Sequence, residues 1–382
     1  MIKTAVILAG GKGERMMPLT ELQPKALVPI HGVPILKLQI DQLIRNNVNK
    51  IIVLTGHLSE QVQQYVASLN LGTIVTCIKS EPALNPAERL KQAYKSFTGP
   101  YILLYCDNYI LNDDIISQQL DTKSGVSLVL QKRNEGNIFI NKNLSAVYVS
   151  KKRTSLHPYV ELGYIAVNDK EFDNLVFTYN DINLALENFS KKYEIKFTEL
   201  FSGHQSLSDF SRYISQKLHG KVAILDRDGI LNKKMDKRKY LNSFKDLKYI
   251  EENLEIFSQL SKAGFSFIIA TNQPGVATGE LSEFFLDELH KKITSDLRLK
   301  NIFILAFYVC KHHWDDLCKC RKPMPGMLNN IIHDFELEIN NLYYVGDEDK
   351  DIIAANAANI NSIKFTDNEI HNRAAIQSIL NR

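Results

Sequence analysis

The feature that most constrains this chain is a rhythm that runs, changes and then starts again. KTAVILAG, KIIVLTG, YILLYCD and VSLVLQK read as strands, and between the first two lies ILKLQIDQLIRNN, with Leu36, Ile40, Leu43 and Ile44 on one helical face. Strands separated by such helices pair in parallel through crossovers, which predicts an α/β sheet. From about residue 126 to 168 the texture turns strand-rich. The polar stretch SGHQSLSDFSRYISQKLHG (202–220) reads as a linker holding a short helix. The rhythm then restarts with VAILD, ENLEIFSQLSKAG, FSFIIATN, SEFFLDELHKKITSDL and IFILAFYVC, and continues through PGMLNNIIHDF, LYYVGD, KDIIAANAAN and SIKF.

A chain of 382 residues with 45% apolar side chains supports more than one core. The expectation is therefore two Rossmann-like three-layer α/β domains, 1–205 and 221–382, joined by a linker at 206–220. The formal charge of +3 is small for this length, and no basic run carries interleaved aromatics, so a nucleic-acid partner is not expected. No apolar stretch is long enough to cross a membrane, and MIKTAVILAGGKGERMM has no cleavage-site pattern. The expected compartment is the cytoplasm, where thiols stay reduced and a cysteine cluster reads as metal-binding or catalytic.

Three strands of the second half run into polar residues of one chemical kind. VAILD leads into Asp226-Arg227-Asp228-Gly229, FSFIIA into Thr271-Asn272-Gln273, and LYYVG into Asp347, with Asp349 and Asp351 close behind. In an open parallel sheet, groups just past the carboxyl ends of strands meet in one crevice. Carboxylates converging there repel one another unless a cation sits among them, and Mg²⁺ suits an all-oxygen site beside phosphate. One carboxylate can attack phosphorus, and another two residues on can protonate the leaving oxygen and then activate water. Thr271 and Lys322 are placed to hold the phosphoryl oxygens as charge develops.

Of five cysteines in the chain, three fall in CKHHWDDLCKC (310–320). Cys310, His312, Cys318 and Cys320 offer three thiolates and an imidazole, a donor set for four-coordinate, structural Zn²⁺. His313 is the competing imidazole, while Trp314 and the two aspartates after it are expected to pack or solvate the loop. The zinc would pin an irregular segment whose next residues, Arg321 and Lys322, must reach the phosphate site.

The order strand–DxDG, strand–TN, Lys, strand–GDxxxD resembles the haloacid-dehalogenase-like phosphatases over residues 221–366. That resemblance implies Asp226 as nucleophile, Asp228 as general acid/base, and Thr271 and Lys322 on phosphate. Asp347 would join Asp226 and the main chain at Asp228 in holding Mg²⁺, supported by Asp351. The segments between the motifs leave no room for a large cap. CKHHWDDLCKCRKPMPGM, DRDGILN and TNQPGVATG are similar to the subgroup that contains D-glycero-D-manno-heptose 1,7-bisphosphate phosphatases, and histidinol-phosphate phosphatases share the zinc loop. In that subgroup Asn272, Gln273 and Arg321 would contact substrate, Arg321 gripping a second phosphate. A basic residue is common where this chain has Glu348.

In the first half, LAGGKGERMMPLTELQPKALVPIHGVPIL follows the first strand. Its backbone N–H groups can wrap phosphates, and Arg15 and Lys25 would supply positive charge. The stretch resembles the sugar-1-phosphate nucleotidyltransferases, close to LAGGxGTRLxPLTxxxPKPMxPIxGxPxL, with Gly10, Gly11, Gly13, Arg15, Pro24 and Lys25 matching. Asp107 matches that family's metal-binding aspartate. The departures are Glu14 in place of Thr, SEPALNPAERL (80–90) in place of a Gly-Thr-Ala-Gly turn, and FTELFSGHQSLSDF in place of an Ile-Asp-Ile-Gly-Thr segment, with Glu199 nearby.

Together these readings predict a bifunctional enzyme acting on small molecules, a phosphosugar and a nucleoside triphosphate. The C-terminal half would remove the 7-phosphate of a heptose 1,7-bisphosphate through an aspartyl-phosphate. The N-terminal half would join the heptose 1-phosphate to a nucleotide, with GTP the expected donor. Two alternatives stay open: a phosphatase with a non-catalytic N-terminal scaffold, or a histidinol-phosphate phosphatase.

Overall fold

The structure is a computed structural model that describes every residue except 150–151, 236–238 and 381–382. The chain divides into two compact units: Met1–Thr20, Pro24–Leu27 and Pro34–Arg212, and Glu21–Gln23, Val28–Val33 and Tyr213–Arg382. Among the described residues no helix is long and apolar enough to cross a membrane.

The first unit is built on β1 (Thr4–Ala9), whose six residues are all buried. After the short pair β2 (Pro29–Ile30) and β3 (Val33–Pro34), which up to Val33 belongs to the second unit, come α1 (Ile35–Arg45), β4 (Lys50–Thr55), α2 (Ser59–Ser68), β5 (Val75–Lys79), α3 (Pro86–Ala93), β6 (Tyr101–Tyr105), β7 (Asn108–Ile110) and α4 (Asp113–Leu120). The strand-rich part adds β8 (Gly125–Lys132), β9 (Ile138–Ile140), β10 (Ala146–Tyr148) and β11 (Tyr159–Asn168). Then follow α5 (Lys170–Tyr179), α6 (Ile182–Ser190), β12 (Ile195–Glu199), β13 (His204–Ser206) and α7 (Phe210–Ser215), which passes into the second unit at Tyr213. Strands β6, β1, β4 and β5 lie side by side in parallel, and β11 joins β6 antiparallel.

Side chains alternate across β1, so its apolar run feeds two cores. Ala5, Ile7 and Ala9 pack with Leu36, Ile40 and Leu43 of α1. Val6 and Leu8 pack with Ala87 and Leu90 of α3 and with Phe172 and Leu186 of the later helices. Two covered faces make the three layers. Chain order reverses at β1, with β4 on one side and β6 on the other, and such a reversal opens a crevice at the carboxyl ends of the strands.

The second unit holds β14 (Lys221–Leu225), α8 (Glu251–Lys262), β15 (Phe265–Asn272), α9 (Glu283–Leu299), β16 (Ile304–Cys310), α10 (Gly326–Asp334), β17 (Tyr343–Gly346), α11 (Asp349–Ala357), β18 (Asn361–Lys364) and α12 (Glu369–Leu380). Its sheet runs β16-β15-β14-β17-β18, parallel throughout. The reversal falls at β14, so Asp226 opens onto its crevice. Among the described residues, the stretches from Asp226 to Ile250 and from Gln273 to Ser282 carry no helix beyond a short turn at Phe244–Asp246, and the unit has no cap domain.

The polar stretch at 202–220 divides between structures. His204–Ser206 forms β13 against β7. Tyr213 is fully buried in the second unit and its hydroxyl donates to the Pro29 carbonyl at 2.9 Å. Leu218 accepts from the His31 amide at 2.7 Å. The apolar residues there are too widely spaced to show as a periodic face, so the stretch reads as a linker.

Candidate active site

In the second unit the side chains beyond β14, β15 and β17 converge. Lys322, 2% exposed, sends Nζ to Asp226 Oδ1 at 2.9 Å, Asp351 Oδ1 at 2.8 Å, Tyr344 Oη at 2.7 Å and the Ala270 carbonyl at 2.9 Å. Burial alone would lower the lysine's pKa, but Asp226 and Asp351 outweigh it and hold the ammonium charged. Burial also dominates at Asp226, whose carboxyl is pushed up to about 6 against the pull of Lys322, with Asp351 adding to the rise.

Asp228 lies in a different environment. Burial pushes its pKa up, but Arg227 with hydrogen bonds from Asn232 and Gln273 outweighs burial and keeps it below the usual range. Arg227 Nη2 meets Asp228 Oδ2 at 2.7 Å, and Gln273 Nε2 donates to Asp228 Oδ2 at 2.8 Å and to Thr271 Oγ1 at 2.9 Å. Arg227 is 1% exposed and was missed in the sequence, where it reads as the filler of DxD; a buried arginine beside an acid is visible only once the fold turns it inward.

Asn272 clamps the backbone of Lys322, donating to its carbonyl at 3.0 Å and accepting from its amide at 3.1 Å. Arg321 Nη1 is buried without a hydrogen-bond partner.

Asp226, Asp347 and Asp351 each place an oxygen within 4.8 Å of the others. Asp347 Oδ1 is buried with no hydrogen-bond partner, which fits a site that receives a cation. The Asp228 carboxylate is not in that group. Lys234 pairs with Asp347 at 2.7 Å and with Glu348. A positive charge therefore does sit beside Glu348, brought from the loop after β14. Gly229, at φ 90°, lets this loop pass Asp347, because a Cβ there would collide with its carboxylate.

Cys310, His312, Cys318 and Cys320 also place their ligand atoms within 4.8 Å of one another. Cys310 Sγ stands 3.7 Å from Cys318 Sγ, and Cys320 Sγ stands 3.2 Å from His312 Nδ1. His313 instead caps the short turn at Trp314–Asp316. Cys310 ends β16 in register with Asn272, and its carbonyl accepts from the Gln273 amide at 2.8 Å. The cluster is thus fastened to the strand that carries Thr271.

In the first unit Gly10, Gly11, Gly13, Arg15, Lys25 and Asp107 line one cavity of about 570 Å³. Lys25 Nζ lies 2.8 Å from Asp107 Oδ2, and Asn108 Nδ2 donates to Asp107 Oδ1 at 2.7 Å. Glu14 is exposed and faces Lys12 at 3.9 Å. The 80–90 stretch starts a helix in place of a glycine turn: Asn85 and Glu88 form a capping box ahead of α3. Glu199 ends β12 opposite Leu130. His204 comes nearer, its Nε2 lying 2.9 Å from Asn108 Oδ1, and burial lowers its pKa to about 4. Glu161, also missed in the sequence, is half-buried near Asp107, and desolvation pushes its carboxyl up to about 7.

Comparison with known proteins divides along the same line. The Nucleotidyl transferase family matches residues 4–145, and the Polynucleotide kinase 3 phosphatase family matches residues 221–373. A D-glycero-alpha-D-manno-heptose-1,7-bisphosphate 7-phosphatase of Photorhabdus laumondii is 35% identical over 147 residues, 37% of this chain and 79% of its own. The chain belongs to the heptose-bisphosphate phosphatase family. A beta-anomer phosphatase of Pseudomonas aeruginosa is 33% identical over 136 residues, 36% of this chain and 75% of its own. The D,D-heptose 1.7-bisphosphate phosphatase structure from B. bronchiseptica, complexed with magnesium and phosphate, covers 42% of this chain and 98% of its own at 26% identity, with a TM-score of 0.39. The protein is an enzyme whose phosphatase half is joined to an N-terminal nucleotidyl transferase domain.

Proposed function

We propose that this chain is a bifunctional enzyme of nucleotide-activated heptose synthesis. Its second unit removes the 7-phosphate of D-glycero-D-manno-heptose 1,7-bisphosphate, and its first unit transfers a nucleotidyl group, from GTP, to the resulting heptose 1-phosphate. The observation that carries the reading is the pairing of two unlike carboxyls, Asp226 against the buried Lys322 and Asp228 against the buried Arg227, in a chain of this family.

Asp226 is the nucleophile. Lys322 keeps it aimed and partly neutralised, and Thr271 offers a hydroxyl to the phosphoryl group. Asp228 protonates the leaving sugar oxygen as the Asp226–phosphorus bond forms, then takes a proton from the water that opens the aspartyl-phosphate. A general acid must first carry a proton, and the free site holds Asp228 ionised. The anionic substrate beside it raises its proton affinity. Asp226, Asp347 and the Asp228 main chain would hold Mg²⁺, which when bound offsets phosphate charge. Arg321 would meet the second phosphate, a role that its buried, partnerless Nη1 supports. Cys310, His312, Cys318 and Cys320 suit a structural Zn²⁺ that holds Arg321 and Lys322 in position. The relatives carry names of both anomers, so the preferred anomer is left to assay.

In the first unit Gly10, Gly11 and Gly13 with Arg15 wrap the phosphates, while Lys25 and Asp107 stand at the reacting end. A second reading, in which this unit is a non-catalytic scaffold, draws on the capped helix that replaces the glycine turn at 80–90. Incubation with heptose 1-phosphate, Mg²⁺ and each nucleoside triphosphate separates the two. Nucleotide-heptose seen by mass spectrometry supports the transferase, and none from any triphosphate leaves the scaffold.

A further inference from the structure

The segment FTELFSGHQSLSDF departs from its resemblance, and its one histidine is joined to Asp107 through a single side chain. His204 lies in β13, which pairs antiparallel with β7 so that His204 faces Ile110 and Ser206 faces Asn108. The Leu207 amide donates to the Asp107 carbonyl at 2.8 Å, and the Leu111 amide to the Gly203 carbonyl at 2.8 Å. The ribbon is thus laced from Asp107 to Leu111. Residues two apart on a strand share a face, so His204, opposite Ile110, lies diagonally beside Asn108.

Asn108 is held on every side. Its Nδ2 donates to Asp107 Oδ1 at 2.7 Å, and its Oδ1 lies 2.9 Å from His204 Nε2. Its carbonyl accepts from Gln39 Nε2 at 2.8 Å and from the Tyr164 hydroxyl at 3.4 Å. Gln39, fully buried in α1, also donates to the Tyr105 carbonyl at 2.9 Å, so the backbone is clamped on both sides of Cys106-Asp107. The Asn108 amide has one workable orientation. Turned over, its oxygen would face a carboxylate oxygen, acceptor against acceptor. Its oxygen therefore faces His204, whose Nε2 must carry the hydrogen. Gly163 keeps the place open, since a Cβ there would come within 3.0 Å of Asn108 Nδ2.

These contacts divide the two oxygens of Asp107. Oδ1 is committed to Asn108, and Oδ2 faces Lys25 Nζ at 2.8 Å. Lys25 and Asp107 line the cavity of the glycine loop; among the described residues that line it, Asn108 and His204 do not appear. A triphosphate draws Lys25 toward its own charge, which releases Oδ2 while Oδ1 stays fastened. We propose that His204 is a positioning residue for nucleotidyl transfer: through the Asn108 amide it fixes the rotamer of Asp107, so that Oδ2 alone faces the cavity. The inference rests on the nucleotidyl transferase reading of this unit. A carboxylate free to turn loses its aim, and a misplacement of about 1 Å costs up to about a hundredfold in rate.

The test is steady-state nucleotidyl transfer to heptose 1-phosphate by the full chain with Mg²⁺ and the triphosphate that the wild type uses best. The variants are His204→Phe, His204→Gln, Asn108→Ala and the double variant His204→Phe/Asn108→Ala. His204→Phe keeps a ring and loses the donor, so kcat falls at least about tenfold while KM for the triphosphate stays within about threefold. A glutamine amide can place an N–H where Nε2 stands, so His204→Gln returns kcat to within about threefold of wild type. In Asn108→Ala the further change to Phe lowers kcat by less than about twofold, because the link is already cut. The comparison of Phe with Gln stands even where Asn108→Ala does not fold. His204→Phe at wild-type kcat, His204→Gln as slow as His204→Phe, or equal losses in both backgrounds overturns the role of His204 and leaves the transferase reading standing. A wild-type chain that makes no nucleotide-heptose from any triphosphate removes the transferase reading and this inference with it.

Discussion

Replacing Lys322 by Met removes one charge and little volume from the centre of the phosphatase site, and its cost can be worked from the geometry. Asp226 and Asp351 are 5% and 0% exposed, and their facing oxygens lie within 4.8 Å with Lys322 Nζ shared between them. At an effective dielectric of 20, two unit charges at that distance repel by about 3.5 kcal/mol. Breaking a buried ion pair from one side typically costs about 3–5 kcal/mol, in agreement. For a unit of this size that lowers Tm by about 6–20 °C. Thermal unfolding without added Mg²⁺ reads it. The penalty shrinks in acid, because the Asp226 carboxyl, already pushed up by burial, gains a proton and stops repelling Asp351. Lys322→Met/Asp351→Asn removes the repulsion and recovers most of the stability, but not phosphatase activity, since Asp226 still lacks its cation. A Lys322→Met chain that loses under about 1 kcal/mol, or a second substitution that rescues nothing, would refute the electrostatic account.

Three further outcomes follow from the same structure. Cys318→Ser lowers the metal content of the purified chain, read by elemental analysis, and lowers the Tm of the phosphatase unit; unchanged zinc content would contradict the four-ligand site. Gly229→Ala forces a Cβ toward the Asp347 carboxylate at a φ of 90°, so phosphatase kcat/KM falls at least tenfold with about 1–3 kcal/mol of stability, checked by steady-state rates and denaturant unfolding. Burial lowers the His219 pKa from its ordinary value to about 4. The unfolded chain therefore takes up a proton near pH 6.5 that the folded one refuses, so stability is full above pH 6.5 and falls by up to about 3 kcal/mol as pH drops toward 4. In His219→Phe that part of the pH dependence is missing from unfolding curves.

Much of the fold was legible because its signals are local. The apolar run of β1 reads as a central strand since both of its faces are covered, and α1 shows a single apolar face. The phosphatase site was legible for a related reason: in a parallel sheet the strand order alone brings residues after β14, β15 and β17 together. What stayed hidden depends on side-chain direction. Arg227 and Arg89 look like surface charges until the fold buries them. Lys234 shows no relation to Glu348 in the sequence, because the loop that pairs them closes over a long span. His204 reads as part of a polar linker and turns out to form β13, linked through Asn108 to Asp107.

The most direct test of the central claim is phosphate release by the purified chain with Mg²⁺ from the α and β heptose 1,7-bisphosphates and from histidinol phosphate, with Asp226→Asn as control. The account predicts release of one phosphate from a heptose bisphosphate, none in the control, and little from histidinol phosphate. Release from histidinol phosphate alone, or equal release by Asp226→Asn, would contradict it.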